Sequence, residues 1–178
     1  MAVKPRLWTR GFILDTLVNF LIYIIYYMLV VIIASEAISS LNATVSEAGL
    51  AAGIFVLGTL AARLAAGRSV EIYGRKKMLY GGILFYLVTT CMYFAVDSLP
   101  LMYGVRFLNG IGYGIASTAT STIVSAMIPE ERRGEGINYY ALSMSLAAAI
   151  GPFLGMIMQQ FFSFRIIIMF CVAVVLAC

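Results

Sequence analysis

Residues 67–77 read GRSVEIYGRKK, and their reading decides the fold. Arg68, Arg75, Lys76 and Lys77 crowd four cations into this stretch, with Glu71 as the lone acid among them. About twenty almost unbroken apolar residues lie on either side, the length needed for a helix to cross a hydrocarbon core of roughly 30 Å. A short charged connection between two such runs is the pattern of a hairpin of membrane helices. Cations in such a loop hold it on the cytoplasmic side. That accounts for the basic residues, but not for Glu71 or for the glycines at 67 and 74.

The rest of the chain repeats the pattern. It has 178 residues, 62% hydrophobic and 11% charged, with a mean hydropathy of +0.98. Soluble domains carry roughly 25% charged residues, and a chain of this length cannot enclose so much apolar surface. The class is integral membrane and multi-pass. Spans are expected at residues 12–38, 46–66, 78–96, 99–128 and 138–160, with a partial sixth at 166–178. Residues 1–11, 67–77 and 129–137 connect them on one side. Thr44 and Glu47 form a T-x-x-E capping box that predicts the start of the second helix. Asp97 or Ser98 is expected to cap the fourth, with Pro100 in its first turn. The sixth apolar run is too short to span, so a truncated sixth helix is expected.

Lys and Arg set the orientation. Lys4, Arg6 and Arg10 precede the first span, four cations fill 67–77, and Arg132 and Arg133 follow the fourth span. The alternate connections hold none, and Arg165 alone breaks the pattern. The N-terminus is therefore expected in the cytoplasm. The net charge of +4 reflects these loops, and nucleic acid is not an expected partner. With no histidine, a His-based metal site or proton relay is excluded. Cys91, Cys171 and Cys178 sit in or at the end of apolar runs, without the spacing of a metal site. No metal, cofactor or catalytic constellation is expected, and the chain does not read as an enzyme.

Polar residues inside the spans need a reason, because a charge at membrane depth is expensive and usually faces a bundle interior or a watery cavity. In the fourth span Arg106, Asn109, Tyr113, Ser117 and Ser121 recur at helical spacing on one face. In the first span Asp15, Asn19, Tyr23 and Tyr26/Tyr27 do the same. Both stripes are expected to line a cavity, with snorkelling to the interface as the alternative for Arg106 and plain solvation at the cytoplasmic end equally open for Asp15. Arg63, placed one turn before the end of the second span, is expected to snorkel or to support the loop. Ser143, Ala147, Gly151 and Gly155 form a small-residue face on the fifth span that admits close helix approach, and Pro152 in its middle is expected to kink it.

Three stretches now fall in order on successive helices. GRSVEIYGRKK resembles the G-x-x-x-D-[RK]-x-G-[RK]-[RK] signature of the major facilitator superfamily, with Gly67, Gly74, Arg75 and Lys76 matching and Glu71 in place of Asp. MYGVRFLNGIG resembles its R-x-x-Q-G-x-G motif through Arg106, Gly110 and Gly112, with Asn109 in place of Gln. AIGPFLGM resembles the antiporter motif through Gly151, Pro152 and Gly155. The resemblance implies an all-α integral membrane fold, here the N-terminal six-helix half of a twelve-helix transporter that binds substrate between two halves near the midplane.

By that resemblance Gly67, Glu71, Gly74, Arg75 and Lys76 form a cytoplasmic latch between halves. Arg106 belongs to proton coupling, with Asp15 as a second candidate. Gly151, Pro152 and Gly155 mark a helix 5 hinge found in exporters. The implied function is proton-coupled efflux of a drug or small metabolite across the plasma membrane. The implied partners are protons, a small-molecule substrate, the lipid bilayer and a C-terminal half. Two alternatives stay open: a non-transporting fragment of an interrupted gene, and a half-size protein that pairs with a partner half.

Overall fold

The computed structural model describes residues 6–178, with the backbone alone described at positions 68, 69, 71 and 72. Lys4 lies outside the described residues, as does the side chain of Glu71. Six α-helices follow in order: α1 (Arg10–Leu41), α2 (Val45–Tyr73), α3 (Arg75–Cys91), α4 (Leu99–Met127), α5 (Arg133–Phe161) and α6 (Phe164–Leu176). Short 3-10 turns at Met92–Ala95 and Glu130–Arg132 extend α3 and lead into α5.

The helix boundaries have local causes. Thr9 caps α1 by accepting the Phe12 N–H at 3.2 Å. Asn42 closes α1 in the left-handed region (φ 53°, ψ 32°), which Asn tolerates better than most residues. The Thr44 hydroxyl then accepts the Glu47 N–H at 3.3 Å, and the Glu47 carboxylate accepts the Thr44 N–H at 2.8 Å. This reciprocal capping box starts α2. Ser98 occupies the N-cap position of α4 without a side-chain hydrogen bond, and Pro100 lies in the first turn. There Pro costs nothing, because its missing N–H has no partner in a helix.

The charged stretch differs from its expected form. It is not a loop over 67–77, because α2 continues through it to Tyr73 and α3 starts at Arg75. Only Gly74 interrupts the two, at φ 85° and ψ 143°. That conformation is closed to residues with a Cβ, so a glycine is required to turn one helix into the next within a single residue. Likewise α5 begins at Arg133 and runs unbroken through Pro152.

Among the described residues, four helical segments are long and apolar enough to cross a membrane: Arg10–Leu41, Val45–Gly67, Arg75–Ala95 and Glu130–Phe161. The bundle turns large apolar side chains outward, among them Leu57, Leu60 and Leu64 on α2, Leu84 and Val88 on α3, and Leu142, Leu146 and Phe153 on α5. Such an apolar exterior suits lipid, and a spanning helix satisfies its own backbone polar groups there. α6, of 13 residues, is roughly 20 Å long. It packs Ile167, Ile168, Cys171 and Val175 into the same core as α1 and α3.

In lipid the helices gain nothing from excluding water from one another, so close van der Waals packing must hold them. Glycine supplies it where α4 meets its neighbours. A Cβ on Gly110 would collide with the Phe55 backbone carbonyl, and one on Gly58 with the Phe107 carbonyl. On the other side of α4, a Cβ on Gly112 would lie 2.8 Å from the backbone of Tyr86. The Thr59 hydroxyl closes the α2–α4 seam by donating to the Gly110 carbonyl at 3.1 Å. A second seam joins α1 and α5, where Gly151 approaches Ile24 and Tyr27 and Gly155 approaches Met28.

Gly110→Val is expected to destabilise the purified protein in detergent by about 1–3 kcal/mol, the usual cost of overpacking. Gly104→Ala on the same helix, where a Cβ would meet open space, is expected to leave the melting temperature unchanged or raised. Thermal unfolding of both variants by fluorescence-detected gel filtration checks this.

Candidate functional site

The polar stripe of α4 is distributed among several neighbours. From 106 to 121 its members fan over roughly 120° of the helix face, because the i+3 and i+4 steps do not close on a full turn. Arg106 and Asn109, expected to line a cavity, are fully buried in helix interfaces instead. Arg106 reaches α2. Its Nε donates to the Ala51 carbonyl at 3.1 Å, Nη2 to the Ala52 carbonyl at 3.2 Å and Nη1 to the Tyr93 hydroxyl at 3.5 Å. The guanidinium carbon sits 4.6 Å from the centre of the Phe55 ring, within cation–π range. The charge is thus held by carbonyl dipoles and a ring face. The ion pair found among the described residues, Arg132 with Glu135 at 2.7 Å, lies elsewhere.

Asn109 faces α3. Its Nδ2 donates to Thr89 Oγ1 and Thr90 Oγ1, both at 3.1 Å, and its Oδ1 accepts the Tyr93 hydroxyl at 3.5 Å. Each threonine hydroxyl in turn donates to α3's own backbone, to the carbonyls of Phe85 and Tyr86. The threonines therefore present lone pairs to α4, and the residue opposite must be a donor.

Asn19, also expected in a cavity wall, is fully buried at the meeting of α1, α4 and α5. Its Oδ1 accepts the Tyr140 hydroxyl at 2.9 Å and the Thr120 hydroxyl at 3.3 Å, while Nδ2 donates to Ser143 Oγ at 3.2 Å. Thr120 and Tyr140 were not singled out by sequence reasoning, and Ser143 was read only as part of a small-residue face. Thr120 falls beside the stripe, and Tyr140 reads as an interfacial aromatic. One turn before Asn19, Asp15 is 7% exposed and its Oδ2 is buried without a hydrogen-bond partner among the described residues.

The remaining stripe residues do meet around open space. Tyr113 is 3% exposed and sits among rings from three other helices. Tyr23, Tyr26, Phe55 and Tyr86 lie 5.1–6.2 Å from it between centroids. A cavity of about 240 Å³ opens between α1, α2 and α4, lined by Tyr23, Tyr26, Tyr27, Phe55, Thr59, Arg63 and Tyr113 with Val56. A second, of about 400 Å³, opens between α1, α2, α4 and α5, lined by Tyr23, Arg63, Ser117, Thr118, Ser121, Tyr140 and Met144. Tyr23, Tyr26, Tyr27, Tyr113, Ser117 and Ser121 all belong to these linings.

Arg63 lies one turn inside the end of the apolar span at Gly67, the position from which it was expected to snorkel or to support the loop. Because α2 continues to Tyr73, it is roughly 15 Å short of the helix end, and it lines both cavities.

The basic stretch forms a separate site. Gly67, Tyr73, Gly74, Arg75, Lys76 and Lys77, with Val70 and Thr122, line a cavity of about 770 Å³ at the α2–α3 junction. Arg75, Lys76 and Lys77 occupy the first turn of α3, where cations oppose the helix macrodipole. Gly151 and Gly155, with Pro152 between them, lie in the α1–α5 seam, where Gly151 approaches Tyr27 of the smaller cavity.

The described residues form a tightly packed helical bundle with an apolar exterior and polar cavities between α1, α2, α4 and α5. A sequence model described as Major Facilitator Superfamily matches residues 16–178, and the chain belongs to that family. It is 31% identical to the MFS-type transporter MJ1560 of Methanocaldococcus jannaschii over 74% of this chain and 34% of that protein. It is 33% identical to the hexose transporter HXT10 of Saccharomyces cerevisiae over 58% of this chain and 19% of the relative. Similarity to the multidrug resistance protein MdtL of Escherichia coli O157:H7 is 25%, over 69% and 32%. The chain spans about a third or less of each of these relatives.

The isosteric Asn109→Asp replaces the amide donor with an acceptor facing two occupied hydroxyls. It is expected to lower stability by about 1–3 kcal/mol and to melt below Asn109→Ala, which only removes the contact. Thermal unfolding in detergent at neutral pH checks the order.

Proposed function

We propose that this chain supplies one half of the pathway of a proton-coupled exporter of small amphipathic molecules, seated in the plasma membrane with its N-terminus in the cytoplasm. The observation that carries the coupling is Asp15, a buried carboxyl with an unpartnered oxygen one turn from the Asn19 network. A carboxyl kept from water and from hydrogen-bond donors is the kind of group that takes up and releases a proton as its surroundings change. Arg106 acts with it by fixing α2 against α4, so that a change on one helix is felt on the other. The basic orientation pattern supports the sidedness, and relatives named for multidrug resistance support the export direction.

The remaining parts take their roles from this reading. The concave face of α1, α2, α4 and α5 is half of the substrate route, and a C-terminal half completes it. Gly67, Glu71, Gly74, Arg75 and Lys76 latch the two halves together, the unfavourable cations at the start of α3 seeking an acidic partner there. Gly151, Pro152 and Gly155 let α5 bend against α1.

The test uses everted vesicles from cells expressing the complete open reading frame that encodes this chain. Adding a transported compound is expected to collapse an imposed acid-inside pH gradient, read by acridine orange. Asp15→Asn is expected to abolish that collapse while substrate counterflow without a gradient persists. Proton-coupled export unaltered in Asp15→Asn would remove Asp15 from the mechanism. The 178-residue chain alone in liposomes is expected to move no substrate, and robust gradient-driven uptake by it would sink the half-pathway reading.

A further inference from the structure

The two cavities of the concave face share two residues, Tyr23 and Arg63. Among the described residues, Arg63 is the only charged side chain in either lining. Its guanidinium makes no hydrogen bond or ion pair among the described residues. Arg106 adds a second positive charge behind the wall, 4.6 Å from the centre of the Phe55 ring that lines the smaller cavity. Its hydrogen bonds to carbonyls orient it without cancelling its charge. Among the described residues no carboxylate lines either cavity, although Asp15 is within electrostatic reach of Tyr140 in the larger one. The field over the smaller cavity, between Arg63 and Arg106, is therefore positive.

The shape and chemistry of the wall restrict the ligand further. Tyr26 stacks on Phe55 with centroids 4.9 Å apart and planes 19° apart. Tyr23, Tyr27 and Tyr113 extend this into a continuous aromatic surface at 4.7–6.3 Å spacings. A planar ring stacks on such a surface in offset or edge geometry. Arg63 is exposed on this face, so its guanidinium is open to a ligand. A guanidinium has a strong partner in a carboxylate, which it holds through two parallel N–H donors.

We propose that this face binds a small aromatic anion, with Arg63 pairing to its carboxylate and the tyrosine wall stacking on its ring. This inference rests on the reading of the concave face as half of a substrate route. It goes further by making Arg63 the residue that selects substrate charge. Its role is distinct from that of Arg106, which is occupied by the α2 carbonyls.

The test compares benzoate, benzamide and benzamidinium, which share one shape and differ in charge. Each is titrated into the purified product of the complete open reading frame in lipid nanodiscs, by isothermal calorimetry. Benzoate is expected to bind at least about tenfold more tightly than benzamidinium, as one charge-assisted contact implies. Arg63→Gln is expected to weaken benzoate about tenfold and leave benzamide unchanged, which also shows that the variant is folded. Arg63→Lys is expected to recover part of the loss.

Equal or tighter binding of benzamidinium, no binding of any probe, or an unchanged benzoate preference in Arg63→Gln overturns the proposal. Binding without transport is separable from this. Benzoate selectivity in nanodiscs with no vesicle transport removes the transport reading alone. Transport confined to neutral or cationic compounds removes the anion reading alone.

Discussion

The close approach of α2 and α4 is the constraint on which the rest of the bundle depends. Gly58 and Gly110 let each helix touch the backbone of the other, with no side chain between. At that separation Arg106 can reach the Ala51 and Ala52 carbonyls and lie against Phe55. A larger residue at position 58 or 110 would push the helices apart and strand a charged side chain in an apolar interior. The glycines and the arginine are therefore one device. The small residues create the contact, and the contact makes the buried charge tolerable.

α4 is the axis around which the helices assemble. One side meets α2 through glycine and Thr59, another meets α3 through Asn109 and its two threonines, and a third meets α1 and α5 through Tyr113 and Thr120. Apolar contacts between helices are only weakly orienting in lipid, since lipid tails are as apolar as leucine. Directional hydrogen bonds and close backbone contacts then fix which faces meet. With those polar groups spent inside the interfaces, the concave face keeps rings, hydroxyls and a single unspent guanidinium.

Much of this was legible in the sequence. The apolar runs, the capping box at Thr44 and Glu47 and the three ordered motifs identified an all-α membrane bundle of the major facilitator type. The boundaries near Gly67 and Pro129 were less legible, because charge and glycine mark the edge of a hydrophobic run and not the end of a helix. A helix continues into water as readily as it crosses lipid, so α2 runs on to Tyr73. That extension leaves Arg63 short of the helix end, although it is still one turn inside the end of the apolar span. Asn109 and Asn19 were legible as polar residues needing partners, but their partners Thr89, Thr90, Thr120 and Tyr140 come from other helices.

By itself, then, the sequence determined the membrane class, the number and order of the helices and which residues could not face lipid. Those follow from local periodicity and from the cost of exposing polar groups to hydrocarbon, and both are properties of a single segment. Only the tertiary structure decided how the polar stripe of α4 is divided between helix contacts and open cavity. That division depends on where neighbouring backbones stop, and on which donors find acceptors across the seams. Arg106 and Arg63 are the same residue type in the same kind of span. One is sealed by two carbonyls and a ring where α2 packs on α4, and the other lies on the face of α2 that lines the two cavities.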